Sequence, residues 1–193
     1  SRKRKDINKE RQKLSPLGLS FEFIEGEQIS AELWKMFYRC YQQTYAKRSG
    51  HYGYLNLAFF EALAKTMPES IVLLVVRNQD RECIASALYF KTETHLYGRY
   101  WGCLVEVDGL HFETCYYQGI EYCIANKLQV FDAGAQGEHK VPRGFEPVET
   151  FSNHEICHDE FRQAIDSFTR QEAENTKIYM QQLKSKLPYK NRA

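Results

Sequence analysis

The sequence predicts one three-layer α/β (α+β) domain, a central mixed sheet flanked by helices. Three observations predict it. A chain of 193 residues suffices for one domain with a real core, or at most two very small ones. Its apolar periodicities run in the order strand, two helices, three-strand run, helix, strand, loop, strand, helix. Ile71 to Val76 is an uninterrupted aliphatic run, as an interior strand requires.

Residues 20–24 alternate like a strand. Ser30 stands where a helix cap belongs, before an apolar face of Leu33, Trp34, Phe37, Tyr38 and Tyr41 that lasts to about residue 47. The stretch from Arg48 to Tyr54, with two glycines, breaks that helix. Leu55, Phe59 and Leu63 share a helical register and predict a second helix over about 55–66, ended by Pro68. Asn78 to Arg81 turns the aliphatic run into a partner strand at 83–91, and another strand covers about 95–102. Asp108-Gly109 precedes a helix from about 111 to 126, with Phe112, Tyr116, Ile120 and Cys123 on one side. A short strand at 128–131 leads into a glycine loop. Val148, Thr150, Ser152 and His154 alternate with Glu149, Phe151, Asn153 and Glu155, predicting a strand over 148–155. A long polar helix follows from about 158 to 186, with Phe161, Ile165 and Phe168 as its apolar face.

Residues 1–19 are set apart by charge. Arg2-Lys3-Arg4-Lys5, Lys9, Arg11 and Lys13 make a basic helix or linker, read first as a solvated segment and second as a phosphate contact. The domain proper is expected over 20–193. A net charge of +1 gives no global push toward nucleic acid or membrane. No apolar run approaches the about 20 residues of a membrane span, and no signal peptide opens the chain. The absence of an opening Met fits a fragment. Six cysteines lie scattered, most among apolar residues and without a C-x-x-C pair, which favours a reducing, cytoplasmic setting.

Candidate chemistry gathers in a few places. The run Phe131-Asp132-Ala133-Gly134-Ala135-Gln136-Gly137-Glu138-His139-Lys140, continuing to Arg143-Gly144-Phe145, empties a strand into a loop with three glycines. Gly134, Gly137 and Gly144 permit positive φ or close backbone approach. Glu138, His139, Lys140 and Arg143 place acid, base and two cations beside that backbone, more than a simple turn requires. Lys140 disfavours the charged form of His139. His111 and Glu113 stand in the first turn of the 111–126 helix, whose positive end favours a neutral imidazole and a carboxylate. Capping by Asp108 and ordinary first-turn acidity are the competing account of that pair. His154 either joins them or is a hydrogen-bonded strand residue. Arg99, Lys140 and Arg143 offer positive charge to a phosphate or carboxylate, against plain surface ion pairing. The spacing of His111, Glu113, Glu138, His139 and His154 among themselves matches no H-x-x-x-H or H-E-x-x-H pattern, so no metal is expected of them. Tyrosine-rich clusters at 38–54, 97–101 and 116–122 suit either a groove wall or core packing.

The words Arg99-Tyr100-Trp101-Gly102-Cys103, Leu110-His111-Phe112-Glu113-Thr114-Cys115-Tyr116-Tyr117 and Gly134-Ala135-Gln136-Gly137-Glu138-His139-Lys140 with Arg143-Gly144-Phe145 resemble the FemAB-like family of bacterial proteins. These are related to the GNAT acyltransferases and associated with peptidoglycan biosynthesis or recognition. The resemblance runs from about residue 2 to 187 and, since family members are longer, fits their C-terminal half. It implies a GNAT-like fold and a donor that is an acyl-CoA or an aminoacyl-tRNA, with no further cofactor. GNAT enzymes hold the CoA pyrophosphate on a glycine-rich turn at the head of the central helix. Here that turn reads Val107-Asp108-Gly109-Leu110, with one glycine and an acid that repels phosphate. The expectation is therefore an acyl- or aminoacyl-transferase acting on an amine, such as a cell-wall (peptidoglycan) precursor. The alternative is a non-catalytic domain recognising a peptide or glycan. The residues expected to act are His139, Glu138, His111 and Glu113. Those expected to bind substrate are Arg99, Tyr100, Trp101, Gln136, Lys140, Arg143 and His154. They are expected to converge on one cleft at the strand ends.

Overall fold

The computed structural model describes residues 2–135 and 137–188. The chain forms two compact units, Asn8–Ala135 and Ser1–Ile7 with Gln136–Ala193. The basic start is helical, α1 (Arg2–Gln12).

The unit Asn8–Ala135 holds the sheet. Its elements are β1 (Ser20–Glu25), α2 (Ala31–Ser49), α3 (Leu57–Thr66), β2 (Ile71–Arg77), β3 (Cys83–Lys91), β4 (His95–Cys103), α4 (Leu110–Phe112), a π-helical turn (Glu113–Tyr117), α5 (Gln118–Ala125) and β5 (Val130–Asp132). Sheet order is β1-β2-β3-β4-β5, antiparallel throughout except for the parallel β4–β5 pair. The mixed α/β architecture thus matches the sequence expectation.

Alternation along β2 explains its continuous apolar run. Ile71, Leu73 and Val75 pack with Trp34, Phe37, Tyr41 and Phe60 of α2 and α3. Val72 and Leu74 pack on the other face with Tyr89, Tyr122 and Cys123, while Val76 meets Leu110. A strand covered on both sides has no polar face to show. Ser30 caps α2 as expected, its hydroxyl accepting the Leu33 N–H at 3.3 Å. At Gly102 helix and sheet touch through backbone: a Cβ there would lie 1.9 Å from the Cys40 carbonyl oxygen, so α2 seats on β4 only with glycine at this point.

Tyr122 of α5 and Lys91 of β3 both donate to the Glu25 carboxylate at the end of β1, tying the sheet to the α5 layer. Burial acts against that carboxylate, but the hydrogen bonds and the Lys91 charge outweigh it and hold its pKa below the usual value. Burial, with the Glu25 contact, pushes the Tyr122 phenol up. Since the folded-state pKa of Glu25 is depressed, its contribution is complete above the unfolded value of about 4.3 and is lost as pH falls through the folded one. Glu25→Gln is expected to lower the melting temperature near pH 7 while the gap to wild type closes near pH 2. Thermal melts across pH check this, and a gap independent of pH removes the ion pair as its cause.

In the other unit, residues 138–143 form a 3-10 helix and Asp159–Lys184 form α6. The strand expected over 148–155 is absent among the described residues. Its alternation offers no continuous apolar face: Val148 and Phe151 fall on opposite sides and both are exposed. Period-two spacing without a buried face does not make a strand. The expected apolar face of α6 is likewise open, with Phe161 and Phe168 each 63% exposed. No described helix is long and apolar enough to cross a membrane.

Candidate active site

β4 extends well past its parallel neighbour. Pairing with β5 stops at Tyr97–Asp132, whereas β4 stays paired to β3 as far as Cys103. Within that overhang the register shifts: Tyr89 faces Gly98 and Leu88 faces Tyr100, leaving Arg99 as the extra residue of a bulge. Bulges re-aim side chains, and the carboxyl ends of parallel strands are where crevices open. Tyr100 points to the α2–α3 layer, edge-on to Tyr41 and Phe60, and Arg99 lies over its ring at 4.8 Å. Trp101 points to the opposite face, against the core beneath α5.

A cleft of about 910 Å³ opens beside this end of β4, lined among others by Trp101, Cys103, Asp108, His111, Lys47 and Arg48. That volume suits a drug-sized or larger organic ligand. The His111 ring sits edge-on between Trp101 at 4.9 Å and Tyr116 at 5.7 Å, with Phe112 at 5.3 Å. The Trp101 indole N–H is buried without an acceptor among the described residues, as is that of Trp34 in the core. Such an orphan is rare in folded proteins. The rim carries paired charge: Lys47 with Glu106, and Lys13 with Asp108 at 3.2 Å.

The helix head departs from the capped form considered for it. The capping position is Gly109, at φ 82°, with no side-chain cap, and Asp108 turns out to Lys13. Behind it the helix widens into the π turn Glu113–Tyr117, where the buried Tyr89 hydroxyl donates to the Thr114 carbonyl. π turns often accompany functional sites. Glu113 is 5% exposed and fully engaged: Arg11 donates Nε to Oε2 at 3.0 Å and Nη2 to Oε1 at 2.9 Å, and Gln118 adds a bond at 2.9 Å. Arg11 also reaches Glu121 at 2.9 Å. Sequence reasoning passed over Arg11 because its partners lie more than 100 residues away, and its own stretch looks like a solvated basic run. Lys47 and Arg48, at the end of α2, carried no signal either.

The remaining candidates belong to the second unit. Glu138, His139, Lys140 and Arg143 share the 3-10 helix that begins after Gly137 and ends at Gly144, at φ 105° and 96°. Gly137 holds a positive φ that strains any side chain, and a Cβ there would also displace the His139 ring, 2.3 Å away. Burial first, then the charges of Arg143 and Lys140, push the His139 pKa down, which favours neutral imidazole. Glu138 accepts the Tyr179 hydroxyl at 2.6 Å, and Arg143 donates to the His139 carbonyl at 2.7 Å. His154 lies on no strand; its Nε2 meets the exposed Ser152 hydroxyl at 2.8 Å. Gln136 lies outside the described residues. The candidates thus divide into Arg99, Tyr100, Trp101, His111 and Glu113 in one unit and Glu138, His139, Lys140, Arg143 and His154 in the other.

Among solved structures, L-PGS from Bacillus licheniformis matches with a TM-score of 0.54 and 11% identity over 69% of this chain. This chain covers 41% of that one. A possible acetyltransferase from Clostridium difficile 630 matches with a TM-score of 0.51 and 10% identity, covering 72% of this chain and 99% of its own. At such identities these likenesses establish the fold, a GNAT-like one. No curated protein matches the chain significantly. The family match is far more extensive, spanning residues 1–191 with the description peptidoglycan biosynthesis/recognition, and on it the chain belongs to the FemAB-like family.

Proposed function

We propose that residues 8–135 carry an acyl- or aminoacyl-transfer centre in which an amine attacks an ester or thioester carbonyl, with His111 as the base. The observation that carries this reading is the placement of His111. Its imidazole lines the cleft at the overhanging end of β4, fixed by three aromatic rings. A base must stand within reach of the proton it removes and in one orientation. The amine nitrogen bonds to the carbonyl carbon while His111 takes a proton from that nitrogen. The bond to the leaving oxygen or sulfur then breaks, and the proton passes to the leaving atom. Trp101 walls the cleft with its indole ring beside His111. Arg48 supplies positive charge to the far end of the ligand, beside the Lys47–Glu106 pair. His139 is the rival base, neutral by its surroundings. In this reading Glu113 shapes the helix head through Arg11.

Family membership favours a cell-wall precursor as the acceptor, and the head of α4 favours an aminoacyl ester over a CoA thioester as the donor. Glu106 and Asp108 put exposed carboxylates, paired to Lys47 and Lys13, where a pyrophosphate would need bare N–H groups, and Gly109 is the only glycine there. Two measurements test this. Calorimetry with acetyl-CoA is expected to show no micromolar binding. Mass spectrometry of an amine-bearing muropeptide incubated with aminoacyl-tRNA is expected to show the added aminoacyl mass. Micromolar acetyl-CoA affinity would overturn the donor assignment.

One observation favours the recognition alternative. The loop after α2 presents Tyr52 and Tyr54, 69% and 83% exposed, with His51 packed on Tyr54 at 4.6 Å. The Tyr41 hydroxyl pins this loop by accepting the Tyr54 and Leu55 N–H groups. A preformed aromatic surface suits a sugar or peptide. Muropeptide binding without turnover on either donor would decide for recognition.

A further inference from the structure

α2 carries Met36 and Cys40 one turn apart, so both sulfur atoms project from one stripe of the helix. Opposite them stands Cys83, the first residue of β3. The Met36 thioether lies 2.8 Å from the Cys83 sulfur and 4.0 Å from the Cys40 sulfur. Cys40 is fully buried, whereas Met36 and Cys83 are only partly so, which leaves the group a side open to solvent. The two thiols bias each other's ionisation. Contact with Cys83 and burial push Cys40 up, while contact with Cys40 and the Arg77 charge bring Cys83 down against its own burial.

We infer that Met36, Cys40 and Cys83 form a three-sulfur binding site for a soft monovalent cation of the Cu(I) class. The donor set decides the class of ion. Hard cations take oxygen ligands, and zinc takes four ligands of the Cys, His and carboxylate type. Among the described residues, His, Cys, Asp and Glu side chains form no group of three or more suited to a metal. Only the thioether makes this centre three-coordinate, and thiolate with thioether is the set that selects Cu(I). With metal–sulfur bonds of roughly 2.3 Å, a planar three-coordinate site needs sulfurs about 4 Å apart. Met36 and Cys40 already meet that spacing. Cys83, at 2.8 Å from the Met36 sulfur, has to move away from that atom by about 1 Å, which a partly exposed side chain can do by rotation. Binding transfers thiol protons to solvent and leaves copper in the same oxidation state.

The test uses the full chain, reduced and anaerobic, loaded with Cu(I) and challenged with a colorimetric Cu(I) chelator. Wild type is expected to retain one ion per chain. Cys83→Ala and Met36→Leu are each expected to surrender it with unchanged far-ultraviolet dichroism, and Cys157→Ser, at the exposed thiol, to retain it. Cys40 lies in the core, where truncation opens a cavity and threatens folding itself, so the two half-buried positions decide the outcome. Retention by Cys83→Ala and Met36→Leu equal to wild type would place the ion on other thiols and overturn the site. Loss of the ion from wild type at the same chelator level would overturn it too.

Discussion

His111→Gln is expected to lower kcat for transfer by roughly 10²–10⁴, the worth of a positioned general base. Gln keeps a polar planar group between Trp101 and Tyr116 but cannot take up a proton, so the fold and the KM for the acceptor should change little. Single-turnover rates with an amine acceptor measure the effect, and circular dichroism confirms the fold. The pH profile separates chemistry from packing: a lost base removes the acid limb of the wild-type rate curve, whereas a packing defect scales the curve without changing its form. His139→Gln is the matched control. If that variant loses the rate and its acid limb while His111→Gln keeps both, the base is the imidazole of the 138–143 turn.

The sheet was legible in the sequence because burial on two faces leaves an unmistakable trace. Ile71–Val76 carries no polar residue, and α2 announces itself by Ser30 and by apolar residues at helical spacing. The misread segment, 148–155, shows the limit of the same logic: alternation is evidence only when one set of residues is apolar. At the site, Trp101 and His111 were legible as aromatic and basic residues at a strand end and a helix head. The bulge at Arg99 was not, because it is a property of the pairing between β3 and β4 rather than of either strand alone. The π turn was hidden for a similar reason. Glu113–Tyr117 reads as ordinary helix, and the contact made there by Tyr89 comes from another strand.

Arg11→Ala is expected to destabilise the protein by about 2–3 kcal/mol, somewhat less than the 3–5 of a fully buried ion pair because the Arg11 side chain is a third exposed. The melting temperature should fall by roughly 5–10 °C for a chain of this size. Most of the loss is the charge left behind. Glu113 stays buried at 5% exposure with only Gln118 to satisfy it, and burying an unpaired carboxylate is costly. Two further variants separate anchoring from catalysis. Arg11→Met combined with Glu113→Leu removes both charges and should recover much of the stability that Arg11→Ala alone forfeits. Glu113→Gln keeps the shape of the side chain and should cost some stability while leaving kcat of the folded enzyme close to wild type. A carboxylate whose oxygens are already committed to Arg11 and Gln118 has little capacity to accept a substrate proton. Should Glu113→Gln instead lose about 10² or more in kcat with an unchanged melting temperature, Glu113 is a base and the anchoring role passes to Glu121 alone.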